Sequence, residues 1–183
     1  VVAKIHAAAG GVGQLLAQWC NSMGAYVVGT VGSDEKKQIA LDSGCHEVVN
    51  SRMEDWPAQV RAATKGYGVH AVYDSIGKAT FEGSISCLMP MGIMISYGAS
   101  SGSLGAIDSN LISEKSLFFT RPSLFHYKRE RKELILSALE VFTNILDGTL
   151  RPNIYAEFPL AEASKAHELL ESRKATGSII LVP

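Results

Sequence analysis

An excess of charge of either sign is missing from this sequence. Its 17 Lys and Arg residues nearly balance 18 Asp and Glu, and the formal net charge is −1. Without a basic field there is no electrostatic footprint for nucleic acid or for an anionic membrane, so neither is expected as a partner. Cysteine is scarce too. Cys20, Cys45 and Cys87 are far apart in the chain. That excludes a disulfide framework or zinc-type spacing and suits buried, reduced thiols in a cytoplasmic protein. No apolar run is long enough to cross a bilayer. The sparsely charged opening reads as a strand, not as a signal peptide. The histidines, His6, His46, His70, His126 and His167, are scattered. No metal set and no Ser–His–Asp arrangement can be read from them, so no metal ligand and no catalytic acid or base is expected.

What the sequence has is a regular alternation of apolar runs and helical patterns. Strands are expected at Val1–His6, Ala25–Val31, Glu47–Asn50, Val69–Asp74, Gly92–Tyr97 and Ser116–Arg121. Helices are expected between the first five, at Gly11–Met23, Asp34–Ser43, Met53–Thr64 and Lys78–Leu88, with stops at Gly24, Gly44, Gly66 and Pro90. In the first helix, Val12, Leu15, Leu16, Trp19, Cys20 and Met23 recur at the spacing of one amphipathic face. Strands separated by helices predict an α/β protein, a Rossmann-type doubly wound parallel sheet of about six strands with helices on both faces. Beyond it, Leu134, Ile135, Ala138, Leu139, Phe142, Ile145 and Leu146 mark a long helix that ends at Gly148, with Lys128–Lys132 as its solvated start. A strand (Ile154–Phe158), a helix (Leu160–Ser172) and a last strand (Ser178–Val182) follow. The chain opens on Val1, already inside a core strand, so it is expected to be a piece of a longer enzyme.

Gly10, Gly11 and Gly13 lie where the first strand turns into the first helix. Glycine lets a ligand approach the backbone, and the free N–H groups and dipole of the helix start favour an anion. A dinucleotide is the expected ligand. An enzyme that prefers NAD places an acid about 20 residues further on, against the ribose hydroxyls. Here the second strand runs into Gly29-Thr30-Val31-Gly32-Ser33 with no carboxylate at its tip. Asp34 and Glu35 read as first-turn helix residues, and Lys36, Lys37 and Arg52 supply cations nearby. A hydroxyl with cations suits a 2′-phosphate, which favours NADPH. The lysine pair could also be a solvated helix face, above all at Lys37. Tyr73-Asp74-Ser75-Ile76-Gly77 and Ser96-Tyr97-Gly98 end the fourth and fifth strands and should face the crevice. Asp74 is expected to cap the turn that follows it rather than act as a catalytic acid. The stretch Gly98–Ser103 is either a flexible loop or part of the ligand site.

These segments carry a resemblance. His6-Ala7-Ala8-Ala9-Gly10-Gly11-Val12-Gly13, Gly29–Ser33, Tyr73–Gly77, Thr120-Arg121-Pro122-Ser123-Leu124 and Ala166–Arg173 resemble, in order, the zinc-independent quinone oxidoreductases of the medium-chain dehydrogenase/reductase superfamily. The resemblance runs along essentially the whole chain. It implies NADPH as hydride donor and quinones or related enones as acceptors. Gly11 and Val12 would meet the pyrophosphate, and Gly32, Ser33 and Lys36 would surround the 2′-phosphate. Ser75, Ile76, Tyr97, Gly98, Ala99 and Ser100 would line the crevice, with Ser123 and Leu124 nearby and Arg173 reaching in from the last helix. Family members often carry Tyr where Ser51 stands, as another phosphate contact, so Ser51 offers a shorter hydroxyl that Arg52 could supplement. Residues 1–150 would form the dinucleotide-binding domain. Residues 151–183 would return to an N-terminal GroES-like substrate domain outside this chain, leaving Ile154–Phe158 and Ser178–Val182 without their usual partners. Homodimers would form through the strand near Ser116–Thr120. Two alternatives stay open: an enoyl-thioester or alkenal reductase of the same superfamily, and a non-catalytic module that binds NADPH and dimerises.

Overall fold

A computed structural model describes residues 1–172 and 174–183. The first half alternates strictly: β1 (Val2–Ile5), α1 (Gly11–Ser22), β2 (Tyr26–Val31), α2 (Lys37–Asp42), β3 (Glu47–Asn50), α3 (Trp56–Ala63), β4 (Val69–Asp74), α4 (Phe81–Cys87) and β5 (Leu88–Ser96). A short helix, α5 (Ser109–Ser113), leads to β6 (Phe118–Thr120). Then come α6 (Leu124–Tyr127), α7 (Arg131–Leu146), β7 (Ile154–Pro159), α8 (Ala163–Glu171) and β8 (Ser178–Val182). Six strands make one parallel sheet in the order β3-β2-β1-β4-β5-β6. The order reverses between β1 and β4, which opens a crevice at their carboxyl ends.

Both faces of the sheet are covered, so adjacent residues on one strand enter different cores. Val27 packs with Ile5, Ala17 and Ala40 under α1 and α2. Val28 packs with Trp56, Val60, Phe81 and Ile85 under α3 and α4. Burying each Val, Ile or Phe side chain of these cores contributes about 1.5–3 kcal/mol.

Several expectations need correction. The face that α1 presents to the sheet is narrower than its apolar stripe. Gly13, Gln14 and Ala17 are its buried residues, Leu16 and Cys20 flank them, and Val12 and Met23 are exposed. Close seating is the cause, since a Cβ on Gly13 would lie 2.2 Å from the Ala7 carbonyl oxygen. Residues Asp34–Lys36 form a 3₁₀ turn ahead of α2. Helix α3 begins at Trp56, where Pro57 occupies the first turn. Helix α4 is Phe81–Cys87, and β5 already starts at Leu88 and runs through Pro90. A register shift against β4 makes this possible: Val69 pairs with Leu88 but Ala71 pairs with Ile93. Proline is tolerated at such a bulge because no ladder N–H is needed there. The long helix α7 starts at Arg131 with a reciprocal capping box between Glu130 and Glu133. Strands β7 and β8 pair with each other in a separate parallel ribbon.

Candidate nucleotide-binding site

A cavity of about 800 Å³ opens at the carboxyl ends of the central strands. That lies within the few hundred to about 1,000 Å³ typical of cofactor sites. Ala7, Ala9 and Gly10 contribute the turn between β1 and α1, and Val31, Gly32 and Ser33 contribute the tip of β2. Ser51 and Arg52 follow β3, Ser75 and Ile76 follow β4, and Ser100 follows β5.

The glycine turn is built by backbone. Gly10 N donates to Ala7 O at 2.9 Å, and Ala7 takes a left-handed φ of 50°. Gly10 is the N-cap of α1, no side chain caps that helix, and its first turn carries no acid. Its leading N–H groups have no intrahelical acceptors, which leaves donors and a positive dipole end for an anion.

The tip of β2 makes the second end of the cavity. Lys36 and Arg52 line it, with the hydroxyls of Ser33 and Ser51. Ser51 Oγ donates to Val31 O at 3.1 Å, so that hydroxyl is partly committed to the backbone. A Cβ on Gly32 would meet nothing closer than Arg52 Nε at 3.9 Å, so the glycine leaves open space beside a guanidinium. Lys37 points elsewhere and pairs with Asp34 Oδ1 at 2.8 Å. Hydrogen bonds from Lys37 and Asn50 hold the Asp34 carboxyl below its ordinary value.

The wall after β4 is set by Asp74, which is fully buried. Its Oδ1 accepts Ile76 N at 2.7 Å and Gly77 N at 3.0 Å, and its Oδ2 accepts Thr80 Oγ1 at 2.8 Å. Asp74 therefore caps the turn, as the sequence suggested. The stretch Gly98–Ser103 is stapled to this turn. Ser100 N donates to Ser75 O, Ser101 N to Ile76 O at 2.8 Å, and Ser101 Oγ to Ile76 O at 2.7 Å. Burial pushes the Tyr97 phenol up, so it is neutral near neutral pH.

Of the residues singled out from sequence, the cavity brings together Gly32, Ser33, Lys36, Ser51, Ser75, Ile76 and Ser100. Gly11 and Val12, on the first turn of α1, are outside the lining. Tyr97, Gly98 and Ala99 back the Ser75–Gly77 turn, where a Cβ on Gly98 would lie 2.6 Å from Ser75 O. Ser123 is the N-cap of α6, and Leu124 is 70 % exposed on it, both outside the lining. Arg173 lies outside the described residues. Sequence reasoning missed Thr80 and Glu35, and marked only Arg173 in the last segment, whose Ser172, Lys174 and Ala175 line the cavity with them. The last segment is tied to the glycine turn by Gln14, whose Nε2 donates to Ala9 O at 2.9 Å and to Thr176 O at 2.6 Å. A buried glutamine on an otherwise apolar helix face was the signal for that contact. Among the described residues, no three His, Cys, Asp or Glu side chains converge as metal ligands. Among the described residues, no helix is long and apolar enough to cross a membrane.

The profile of a family described as zinc-binding dehydrogenase matches residues 11–141. The chain is 42 % identical over 181 residues to quinone oxidoreductase 1 of Escherichia coli, covering 97 % of this chain and 55 % of that protein. It is 41 % identical to a 2-haloacrylate reductase of a Burkholderia species, covering 98 % of this chain and 54 % of that one. A crystal structure of Escherichia coli quinone oxidoreductase in complex with NADPH superimposes with a TM-score of 0.94 at 41 % identity, over 100 % of this chain and 57 % of that one. The chain thus spans about half the length of the curated relatives it matches. Profile, fold and crevice agree: the chain belongs to the zinc-binding dehydrogenase family of the medium-chain dehydrogenase/reductase superfamily and forms its Rossmann-type portion.

Proposed function

We propose that this chain binds NADPH across the crevice and that the whole protein reduces quinones or related enones. The observation that carries the reading is the far end of the cavity, where Ser33, Lys36 and Arg52 surround the open space at Gly32. These groups suit a 2′-phosphate through charge-assisted hydrogen bonds. The uncapped start of α1, at Gly11 and Val12, suits the pyrophosphate. Ser75 and Ile76, backed by Tyr97–Ser100, would position the nicotinamide half. Ser123, Leu124 and Arg173 are proposed as further contacts near the crevice. When bound, NADPH supplies the hydride. The chain's own part is to bind, orient and exclude water, so no acid or base is assigned to it.

The remainder of the protein would be a GroES-like substrate domain, with residues 151–183 returning toward it. Strand β6 ends the sheet and Phe118 on it is 58 % exposed, so pairing of β6 with a second copy is the proposed dimer contact. The similarity to a 2-haloacrylate reductase favours one other acceptor class, activated alkenes. Rates of NADPH oxidation by the full-length protein with 1,4-benzoquinone and with 2-chloroacrylate decide between them. Faster turnover of the quinone supports the proposal, and turnover of the haloacrylate alone replaces it.

A further inference from the structure

Beneath the crevice, inside the apolar core, lies a polar cluster that cofactor binding as described does not use. Lys4 on β1 and His6, one residue past its end, are two residues apart, so their side chains leave the same face of the sheet, the one covered by α3 and α4. Lys4, His6, Asp74 and Ser84 are each no more than 1 % exposed. Lys4 Nζ donates to His6 Nε2 and, at 3.5 Å, to Ser84 Oγ. It sits 4.2 Å from the centre of the Trp56 ring. Ser84 Oγ donates to Asp74 Oδ2 at 3.3 Å, and His6 Nε2 lies 3.6 Å from the same oxygen. The other Asp74 oxygen holds Ile76 N and Gly77 N. Ile76 and Thr80, both tied to Asp74, line the cavity. Ammonium, hydroxyl, carboxylate and turn thus form one connected path from the core to the nucleotide site. It is not a hydrolytic triad, because Ser84 and Asp74 approach the same ring nitrogen of His6.

A buried carboxylate needs a compensating charge. The groups facing Lys4 are His6 just past the end of its own strand, Asp74 on β4, Ser84 and Cys87 on α4, and Trp56 on α3. Burial, aided by the neighbouring Lys4 ammonium, keeps His6 well below its ordinary value and therefore neutral. Burial pushes the Cys87 thiol up, against the pull of Lys4, Lys115 and Arg61, so it too is uncharged near neutral pH. Among the described residues, Lys4 is then the fully buried cation that can answer Asp74.

We propose that Lys4 is a positioning residue for the nucleotide site: its ammonium steadies Asp74 through Ser84, Asp74 fixes the Ser75–Gly77 turn, and loss of the Lys4 proton loosens that turn and weakens cofactor binding. The inference rests on the NADPH reading above. Burial draws the Lys4 amine from 10.5 down to about 7, against the pull of Cys87 and Asp74, so the switch would operate near neutral pH. Deprotonated Nζ becomes an acceptor. His6 can then carry its proton on Nε2 and accept from Thr30 Oγ1, which lies 2.8 Å from Nδ1. Thr30 O accepts Ala8 N at 2.9 Å, so the tautomer change also reaches the glycine turn. If NADPH favours protonated Lys4, binding raises the Lys4 pKa and affinity falls as pH rises.

The test follows the backbone amide resonances of Ile76 and Gly77, and titrates NADPH, from about pH 6 to 9 in wild type, Lys4→Met and Asp74→Asn. In wild type both amides should move with one midpoint near neutrality. The NADPH dissociation constant should rise about tenfold for each unit by which binding raises the Lys4 pKa. Both responses should vanish in each variant. Wild-type amides that stay still, or that move equally in Lys4→Met, would overturn the proposal. Asp74→Asn keeps an oxygen for the turn, so it carries the test if Lys4→Met does not fold. Moving amides with no NADPH binding at any pH would refute the cofactor reading and leave the coupling of Lys4 to the turn supported.

Discussion

Replacing Gly13 by Ala should damage the molecule, although alanine favours helix. A Cβ there would lie 2.2 Å from Ala7 O, 2.9 Å from Ala7 C and 2.8 Å from Ala8 Cα. All three are backbone atoms, and Ala7 is already held at φ 50° by the turn that accepts Gly10 N. No flexible side chain can yield, so α1 must lift by about 1 Å. Overpacking of this kind costs about 1–3 kcal/mol, and the helix preference of alanine returns about 1 kcal/mol. A net loss of up to about 2 kcal/mol lowers Tm by up to about 8 °C in a domain of this size. Gly32→Ala is the control, because the added methyl meets only Arg52 Nε at 3.9 Å. Its Tm should stay within about 2 °C of wild type, while NADPH affinity falls because the methyl fills the space beside the guanidinium. Thermal melts and NADPH titrations of both variants read the two effects separately. A Gly13→Ala protein that melts above wild type would refute the close seating of α1 on the glycine turn.

Removing either cation at the β2 end, by Lys36→Ala or Arg52→Ala, should weaken NADPH binding by about tenfold, the usual worth of a charged hydrogen bond, and leave NADH binding nearly unchanged in parallel titrations. Stability should rise with pH above about 7, because the native Lys4 amine has lost its proton there while the unfolded one holds it up to 10.5. Cys45 acts in the opposite sense. Its native thiol is pushed up to about 12 by burial, so above 9.0 the unfolded chain loses protons that the native one keeps. Denaturant melts should show a gain from about pH 7 to 9 that levels off above it, where the two groups oppose each other, and Lys4→Met should abolish the gain. Phe118→Asp should shift sedimentation toward a monomer, and an unchanged profile would remove β6 as the proposed contact.

Much of the fold was legible because punctuation in this chain is strong. Glu47–Asn50, Val69–Asp74 and Ser178–Val182 stand where the apolar runs placed them. Gly24, Gly44 and Gly66 all follow helix ends in left-handed conformations. Periodicity failed at α1 because it counts apolar residues and not distance. The helix is pressed onto a backbone turn, so glycine and alanine face inward and Val12 faces out. It failed at Pro90 because a bulge supplies the irregularity that proline needs. The β2 tip of the site was legible in Gly32, Ser33 and Lys36. At the chain's end the resemblance marked Arg173, but the lining by Lys174 and Ala175 was not legible, because it arises only when that end folds back over α1. Lys4 was hidden for a related reason: a lysine in an apolar strand reads as an interruption, and its partners are 80 and 52 residues away, as the Ser84 contact and the Trp56 ring show.

The central claim is that this chain is built to hold NADPH through a phosphate pocket at the tip of β2. Calorimetric titration with NADPH and with NADH in low-phosphate buffer, repeated on Lys36→Ala, tests it most directly. The account predicts binding of NADPH in clear preference to NADH, and a preference that collapses in the variant. Equal binding of the two cofactors, or no binding by a folded sample, would contradict it.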